Sequence, residues 1–107
     1  MELRIYTDSR GHAPFEVWVE GLSDRLARAR IRARLARVEA GNLGDCKPLR
    51  AGVHELRVDH GPGYRVYLSR QGDAFVLLLG GSDKSGQERA IVQAMAYLED
   101  WKQRGQP

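Results

Sequence analysis

An α+β domain, with helices packed on one face of a small antiparallel sheet, is the fold class that this sequence predicts, on three observations. Two segments with apolar residues at three- and four-residue spacing follow a short first strand and precede the others. A strictly alternating stretch, Val53 to Tyr67, turns back on itself at Gly61-Pro62-Gly63. An apolar run, Ala74 to Leu79, is followed by a last segment of helical spacing. With 107 residues, 42% of them hydrophobic and 29% charged, the chain is long enough to bury one core and reads as one domain over residues 1–107.

The elements follow in order. Leu3 and Ile5 alternate with Arg4 and Tyr6 and predict a first strand, closed by the turn-rich Thr7-Asp8-Ser9. Pro14 suits the first turn of a helix, and Phe15, Trp18, Val19 and Leu22 supply its buried stripe as far as Gly21. Ser23 or Asp24 caps a second helix that runs to about Ala40, where Gly41-Asn42 allow the left-handed stop. Its polar face is drawn from Arg25, Arg28, Arg30, Arg32, Arg34 and Arg37, set against Asp24 and Glu39. Leu22, Leu26, Ala29, Ile31, Ala33, Leu35 and Val38 form the buried side. That polar face reads equally as a phosphate-binding surface or as a solvated face whose long stems cover apolar neighbours.

Gly41 to Gly52 reads as a connecting loop that brings Lys47 and Arg50 up to the hairpin. In the hairpin, His54, Leu56 and Val58 share one side and Glu55, Arg57 and Asp59 the other, by the period of two. Beyond the turn, Tyr64, Val66 and Leu68 face one way and Arg65, Tyr67 and Ser69 the other. The apolar sets coincide only if Val58 pairs with Tyr64 and Leu56 with Val66, which sets Arg57 opposite Arg65. Like charges across a strand pair cost about 0.2 to 1 kcal/mol, so an anion between them is called for, and Arg65→Ala is expected to leave stability unchanged or slightly raised. The unbroken run Ala74 to Leu79 predicts a central strand covered on both faces, ended by Gly80-Gly81. Ser85 and Glu88 fit a capping box for a last helix with the stripe Ile91, Ala94, Met95, Leu98 and Trp101, and residues 103–107 are expected to fray.

Composition narrows the function. Net charge is +3 and the sequence pI is near 9.4, which permits a polyanionic partner without demanding one. Cys46 is the only cysteine, and His12, His54 and His60 lack zinc-ligand spacing, so neither disulfide, metal nor cofactor is expected. The run Phe75 to Leu79 falls short of a membrane span and Met1-Glu2-Leu3-Arg4 opens no signal peptide, so the cytoplasm is the expected location.

With helices on one face only, the other side of the hairpin should be an open ionic surface on which Glu55, Arg57, Arg65 and Tyr67 are neighbours and Lys84 arrives from the glycine-rich turn. Fixed cations beside a carboxylate or hydroxyl suit in-line attack at a phosphodiester: the cations stabilise charge on the phosphoryl oxygens and the other groups move protons. Each also has a plainer reading. Glu55 with either arginine makes an ordinary surface ion pair, Tyr67 packs, and His54 is a satisfied core residue. His60, at the end of the hairpin, is accessible and a candidate proton donor.

The succession Phe15-x-x-Trp18, Asp24 with Ala27-Arg28-Ala29-Arg30-Ile31-x-x-Arg34-Leu35, Gly41-Asn42-x-Gly44-Asp45-x-Lys47, Gly52-Val53-x-Glu55-Leu56-Arg57, Gly61-Pro62-Gly63-Tyr64-Arg65-Val66-Tyr67 and Gly80-Gly81-Ser82-Asp83-Lys84-Ser85-x-Gln87 resembles the small toxins of type II toxin–antitoxin modules. In particular it resembles the HigB-like, addiction module killer branch of the RelE/ParE superfamily, over about Tyr6 to Tyr97. The order β-α-α-β-β-β-α, read from the pattern above, goes together with that resemblance. The resemblance implies a metal-independent, ribosome-associated messenger-RNA endonuclease, held inactive by a small helix-turn-helix antitoxin from the adjacent gene, in a possible toxin–antitoxin hetero-oligomer. Arg65 matches the arginine that stabilises the scissile phosphate in that superfamily, Arg57 a basic position on the preceding strand, and Lys84 a basic residue after the last central strand. Glu55 replaces a lysine-rich pattern, so Glu55 or Tyr67 is expected to handle a proton. Arg25, Arg28, Arg32, Lys47, Arg50 and His60 are expected to contact RNA or the ribosome. Two other classes stay open: a non-nucleolytic toxin of the same fold acting on DNA gyrase, and a plain RNA-binding module.

Overall fold

Pro14 and Asp24 start the first two helices of the computed structural model, which describes residues 1–105. Pro14 opens α1 (Pro14–Glu20), which stops at Gly21. The Asp24 carboxylate accepts hydrogen bonds from the amides of Leu26 and Ala27, satisfying donors that the first turn of α2 (Arg25–Glu39) would leave bare, and it is the cap rather than Ser23. Around them lie β1 (Glu2–Ile5), β2 (Cys46–Pro48), β3 (His54–Val58), β4 (Tyr64–Gln71), β5 (Phe75–Ser82) and a last helix, α3 (Gln87–Gln103). None of these helices is long and apolar enough to cross a membrane.

The five strands form one mixed sheet in the order β1-β5-β4-β3-β2. The hairpin register is as the alternation requires, with Val58 opposite Tyr64, Leu56 opposite Val66, Arg57 opposite Arg65 and Glu55 opposite Tyr67. The sheet is not wholly antiparallel, because β1 runs parallel to β5, with Glu2 beside Phe75 and Ile5 beside Leu78. The segment expected to be loop contributes an edge strand, β2, which pairs Lys47 with Glu55, so a strand is added to the expected order. Nor do Gly80 and Gly81 end β5. They continue it to Ser82, past an irregularity at which Tyr67 pairs with Gly80 and Leu68 with Leu78.

The largest departure from the expected architecture is that helices cover both faces. On one face α1 and α2 bury Phe15, Val19, Ile31, Leu35 and Val38 against Leu56, Val66, Leu68, Val76 and Leu78. On the other, α3 buries Ile91, Ala94 and Leu98 against Tyr67, Leu77 and Leu79, with Tyr6 and Val53 alongside. The side of the hairpin expected to lie open is therefore partly beneath α3. The both-faces reading of the run Ala74 to Leu79 holds for Phe75 to Leu79, all five buried, but not for Ala74, which is exposed in the turn before β5.

Two helix ends differ in detail. Ser85 and Glu88 make no capping box: the Asp83 carboxylate accepts from the Gly86 amide and the Ser85 hydroxyl, while Glu88 pairs with Arg50. Of the residues expected to fray, Gln103 closes α3 and Arg104 and Gly105 form a turn. Residues 106 and 107 lie outside the described residues.

Candidate functional site

Strand register builds the site in two rows across the sheet. Lys47, Glu55, Tyr67 and Gly80 make one row over β2, β3, β4 and β5, and Arg57, Arg65 and Ser82 the next over β3, β4 and β5. Adjacent rows place Glu55 diagonally beside Arg65, which is how a carboxylate comes to lie among cations that sequence separates.

Glu55 is the centre. Its carboxylate is fully buried, and Oε1 accepts from Arg65 Nε at 2.6 Å and from Gln87 Nε2 at 3.2 Å. Oε2 has no hydrogen-bond partner, but Lys47 Nζ lies 3.7 Å from it and Arg57 Nε 3.9 Å. The anion that the Arg57–Arg65 pairing called for is thus the chain's own Glu55. Arg65 is held a second time by Nη1, which donates to the Gly63 carbonyl at 2.9 Å, and about 10% of its side chain remains exposed. Gly63, at φ +81°, leaves the space this needs, because a Cβ there would stand 3.3 Å from Arg65 Nη1. The Lys84 stem lies on the same side of Gly63, with its Cβ 4.0 Å from that point. Lys84 is exposed and has no carboxylate within 4 Å among the described residues.

The expected open ionic surface is therefore a half-buried cluster with an exposed rim. Glu55 and Tyr67 are both closed off, because α3 lays its first turn and apolar stripe over their face. The Tyr67 hydroxyl is 3.0 Å from Ser82 Oγ, and burial raises its pKa, which leaves it protonated at neutral pH. Arg57 and Lys47 form the rim, with 42% of the Arg57 side chain and 51% of the Lys47 side chain exposed, and the exposed Lys84 stands beside Gly63.

The arginines of α2 do not form one face. Arg32 lies between the carboxylates of Glu16 and Glu20 of α1, at 3.0 and 2.9 Å, acids that the sequence view of one helix left out. Those two partners hold its pKa up against partial burial. Arg28 donates to the Leu22 carbonyl. Arg34 is buried, whereas Leu26, Ala29 and Ala33, expected inside, are exposed. Helix geometry gives the reason: at 100° per residue, positions 27, 31, 34 and 38 share the stripe that faces the sheet, and 29 and 33 point away from it. Arg25 stays exposed.

Two other expected RNA contacts are also committed within the chain. Arg50 donates to Glu88 at 2.7 Å, tying the loop before β3 to α3. His60 is only 17% exposed; its Nε2 lies 3.2 Å from Asp24 Oδ2 and its ring stacks near Tyr64, so it joins the hairpin turn to the start of α2. His54 is half-buried, with a buried Nδ1 that has no partner, so it is not the satisfied core histidine expected. The residue that sequence reasoning missed is Gln87, the first of α3, whose amide completes the hold on Glu55.

Comparison with known proteins finds a relative in Haemophilus influenzae, an uncharacterized protein that is 48% identical over 86 residues, covering 80% of this chain and 87% of the relative. No family model matches the sequence. Identity of that level over most of both chains is common descent, and the chain belongs to the family of this uncharacterized H. influenzae protein.

Proposed function

We propose that the protein is a toxin of a type II toxin–antitoxin module, of the RelE/ParE superfamily, that cleaves messenger RNA on the ribosome in the cytoplasm and is restrained by a small antitoxin encoded beside it. One observation carries the reading: three cations, Lys47, Arg57 and Arg65, gather around a single carboxylate, with Lys84 beside Gly63, whose carbonyl also holds Arg65. Of these cations, Arg65 alone is at hydrogen-bond distance from Glu55, which leaves Lys47, Arg57 and Lys84 to meet an anion from outside. The sequence resemblance supplies the substrate class.

In this reading a scissile phosphate sits on the rim, where Arg57 and the exposed part of Arg65 stabilise charge that develops on its non-bridging oxygens. The 2′-oxygen of the preceding ribose bonds to phosphorus as the bond to the 5′-oxygen breaks. The 2′-hydroxyl proton passes to water, and the 5′-oxygen takes a proton from the Lys84 ammonium. Glu55, too deep to touch substrate, is a positioning residue: it fixes the Arg65 guanidinium so that little reorganisation is needed when the phosphate arrives. Burial of Tyr67 likewise favours a packing role over proton transfer.

One observation favours a second reading. Neither Glu55 nor Tyr67 is accessible, so a module that binds RNA without cutting it would need nothing more than is present. Purified protein added to translating ribosomes separates the cases. Discrete messenger cuts with 2′,3′-cyclic phosphate ends support the nuclease. Bound but intact messenger moves the assignment to the binding module, and intact messenger with inhibited supercoiling moves it to a gyrase-directed toxin.

A further inference from the structure

A groove of about 830 Å³ runs between α2 and the end of β3 that leads into the hairpin turn. Ala29 and Ala33 line it together with Arg30, Arg34, Arg37 and Arg57. Arg34 is the unusual member. It is 5% exposed; Nη2 donates to the Leu43 carbonyl and Nη1, also buried, has no partner. No carboxylate lies within 4 Å of it among the described residues, and burial together with the nearby Arg37 charge lowers its pKa. The chain makes room for this cation, which has Asp45 nearby but no ion pair: Gly44 has φ +58°, and a Cβ there would stand 2.6 Å from Arg34 Nη2. A buried guanidinium with a spare N–H beside a groove suits an oxyanion.

Resting on the proposed function, we infer that this groove is a track for the sugar-phosphate backbone of single-stranded RNA, which leads it to the rim cations through Arg57. Charge complementarity sets the occupant. Arg30, Arg34 and Arg37 make a row along ~10 Å of helix, at 1.5 Å per residue, which a repeating polyanion matches and a single carboxylate does not. The small side chains of Ala29 and Ala33 in the lining let a backbone approach closely. Arg57 lines the groove and also lies 3.9 Å from Glu55 Oε2, so the track is continuous with the cluster. Asp45 and Asp59 on its walls keep it from being uniformly basic and so restrict where phosphates can sit.

The test is fluorescence anisotropy of a short 2′-O-methylated RNA, which cannot cleave itself, titrated over a range of potassium chloride concentrations. Arg30 and Arg37 are exposed, so Arg30→Ala with Arg37→Ala keeps the fold, which a thermal melt verifies. Each phosphate contact on a single strand contributes about 0.7 to the slope of log affinity against log salt, so the double variant is expected to be shallower by about 1.4. Arg34→Met is expected to flatten the slope as well. Arg10→Ala with Arg89→Ala removes the same charge outside the groove and is expected to leave the slope steep.

A steep wild-type slope that survives Arg30→Ala with Arg37→Ala overturns the groove and leaves the RNA reading standing. An equal loss in both double variants makes the effect one of net charge and overturns the groove too. A wild-type protein with no salt-dependent RNA affinity overturns both, as does capture of an oligoglutamate peptide, but not RNA, through these arginines.

Discussion

Arg65 Nε and Glu55 Oε1 are 2.6 Å apart in a part of the sheet closed by α3, and each is the other's shortest charged contact. That relationship reverses the expectation that Arg65→Ala would relieve a repulsion. Removing one member of a buried pair leaves the other charge stranded, at a cost of about 3 to 5 kcal/mol, larger than the ~1 kcal/mol a cross-strand like-charge pair could return. Arg65→Ala is therefore expected to lower stability by about 3 kcal/mol, toward the low end because Gln87 and Lys47 remain near Glu55. Urea unfolding measures it, and an unchanged midpoint would place Arg65 outside the core ion pair.

Gly81 gives a packing prediction. A Cβ there would lie 2.2 Å from the Trp18 ring, which rests flat on the glycine. Gly81→Ala forces the indole or the strand to shift, so a loss of about 1 to 3 kcal/mol is expected, with a change in tryptophan fluorescence. Gly80→Ala meets nothing within 4 Å and serves as the contrast.

Asp24 gives a pH prediction. The Ala27 amide first, then the His60 ring, hold its carboxyl below the ordinary carboxylate range. A folded-state pKa below the unfolded one means that stabilisation is present above the unfolded value, about 3.9, and is lost as pH falls through the folded value. Asp24→Asn keeps an acceptor for the cap but cannot titrate. The melting-temperature gap between wild type and this variant should be full above about pH 4 and close as pH falls further. A gap that is flat with pH would remove the carboxylate charge from the account.

The hairpin was legible because period two leaves no freedom: with Leu56, Val58, Tyr64 and Val66 on one side, Arg57 had to meet Arg65, and it does. What was not legible was what covers the other side. The residues there, Glu55, Arg65 and Tyr67, carry polar atoms and read as surface, yet buried pairing lets a carboxylate and a guanidinium share a core with Leu77 and Leu79. Two signals pointed that way and were not joined: the run Phe75 to Leu79 demanded cover on both faces, and the stripe of α3 needed a face to bury. Arg34 illustrates the same limit. Its position in the stripe with Ala27, Ile31 and Val38 fixes it inward, but its residue type assigned it outward. Glu16 and Glu20 reach Arg32 only through tertiary packing, which no reading of one helix supplies.

The central claim, that the rim cations around Glu55 act on a reacting phosphate, is tested most directly at Lys84. It is exposed and has no ion-pair partner among the described residues, so Lys84→Ala leaves the Glu55–Arg65 pair intact and should melt within a degree or two of wild type. The measurement is the single-turnover cleavage rate of messenger on translating ribosomes, at saturating protein, for wild type and Lys84→Ala. The account predicts a fall on the order of 10² to 10³ with binding nearly unchanged, the loss of a group that acts on the transition state. A variant that folds alike and cuts at the wild-type rate would contradict it.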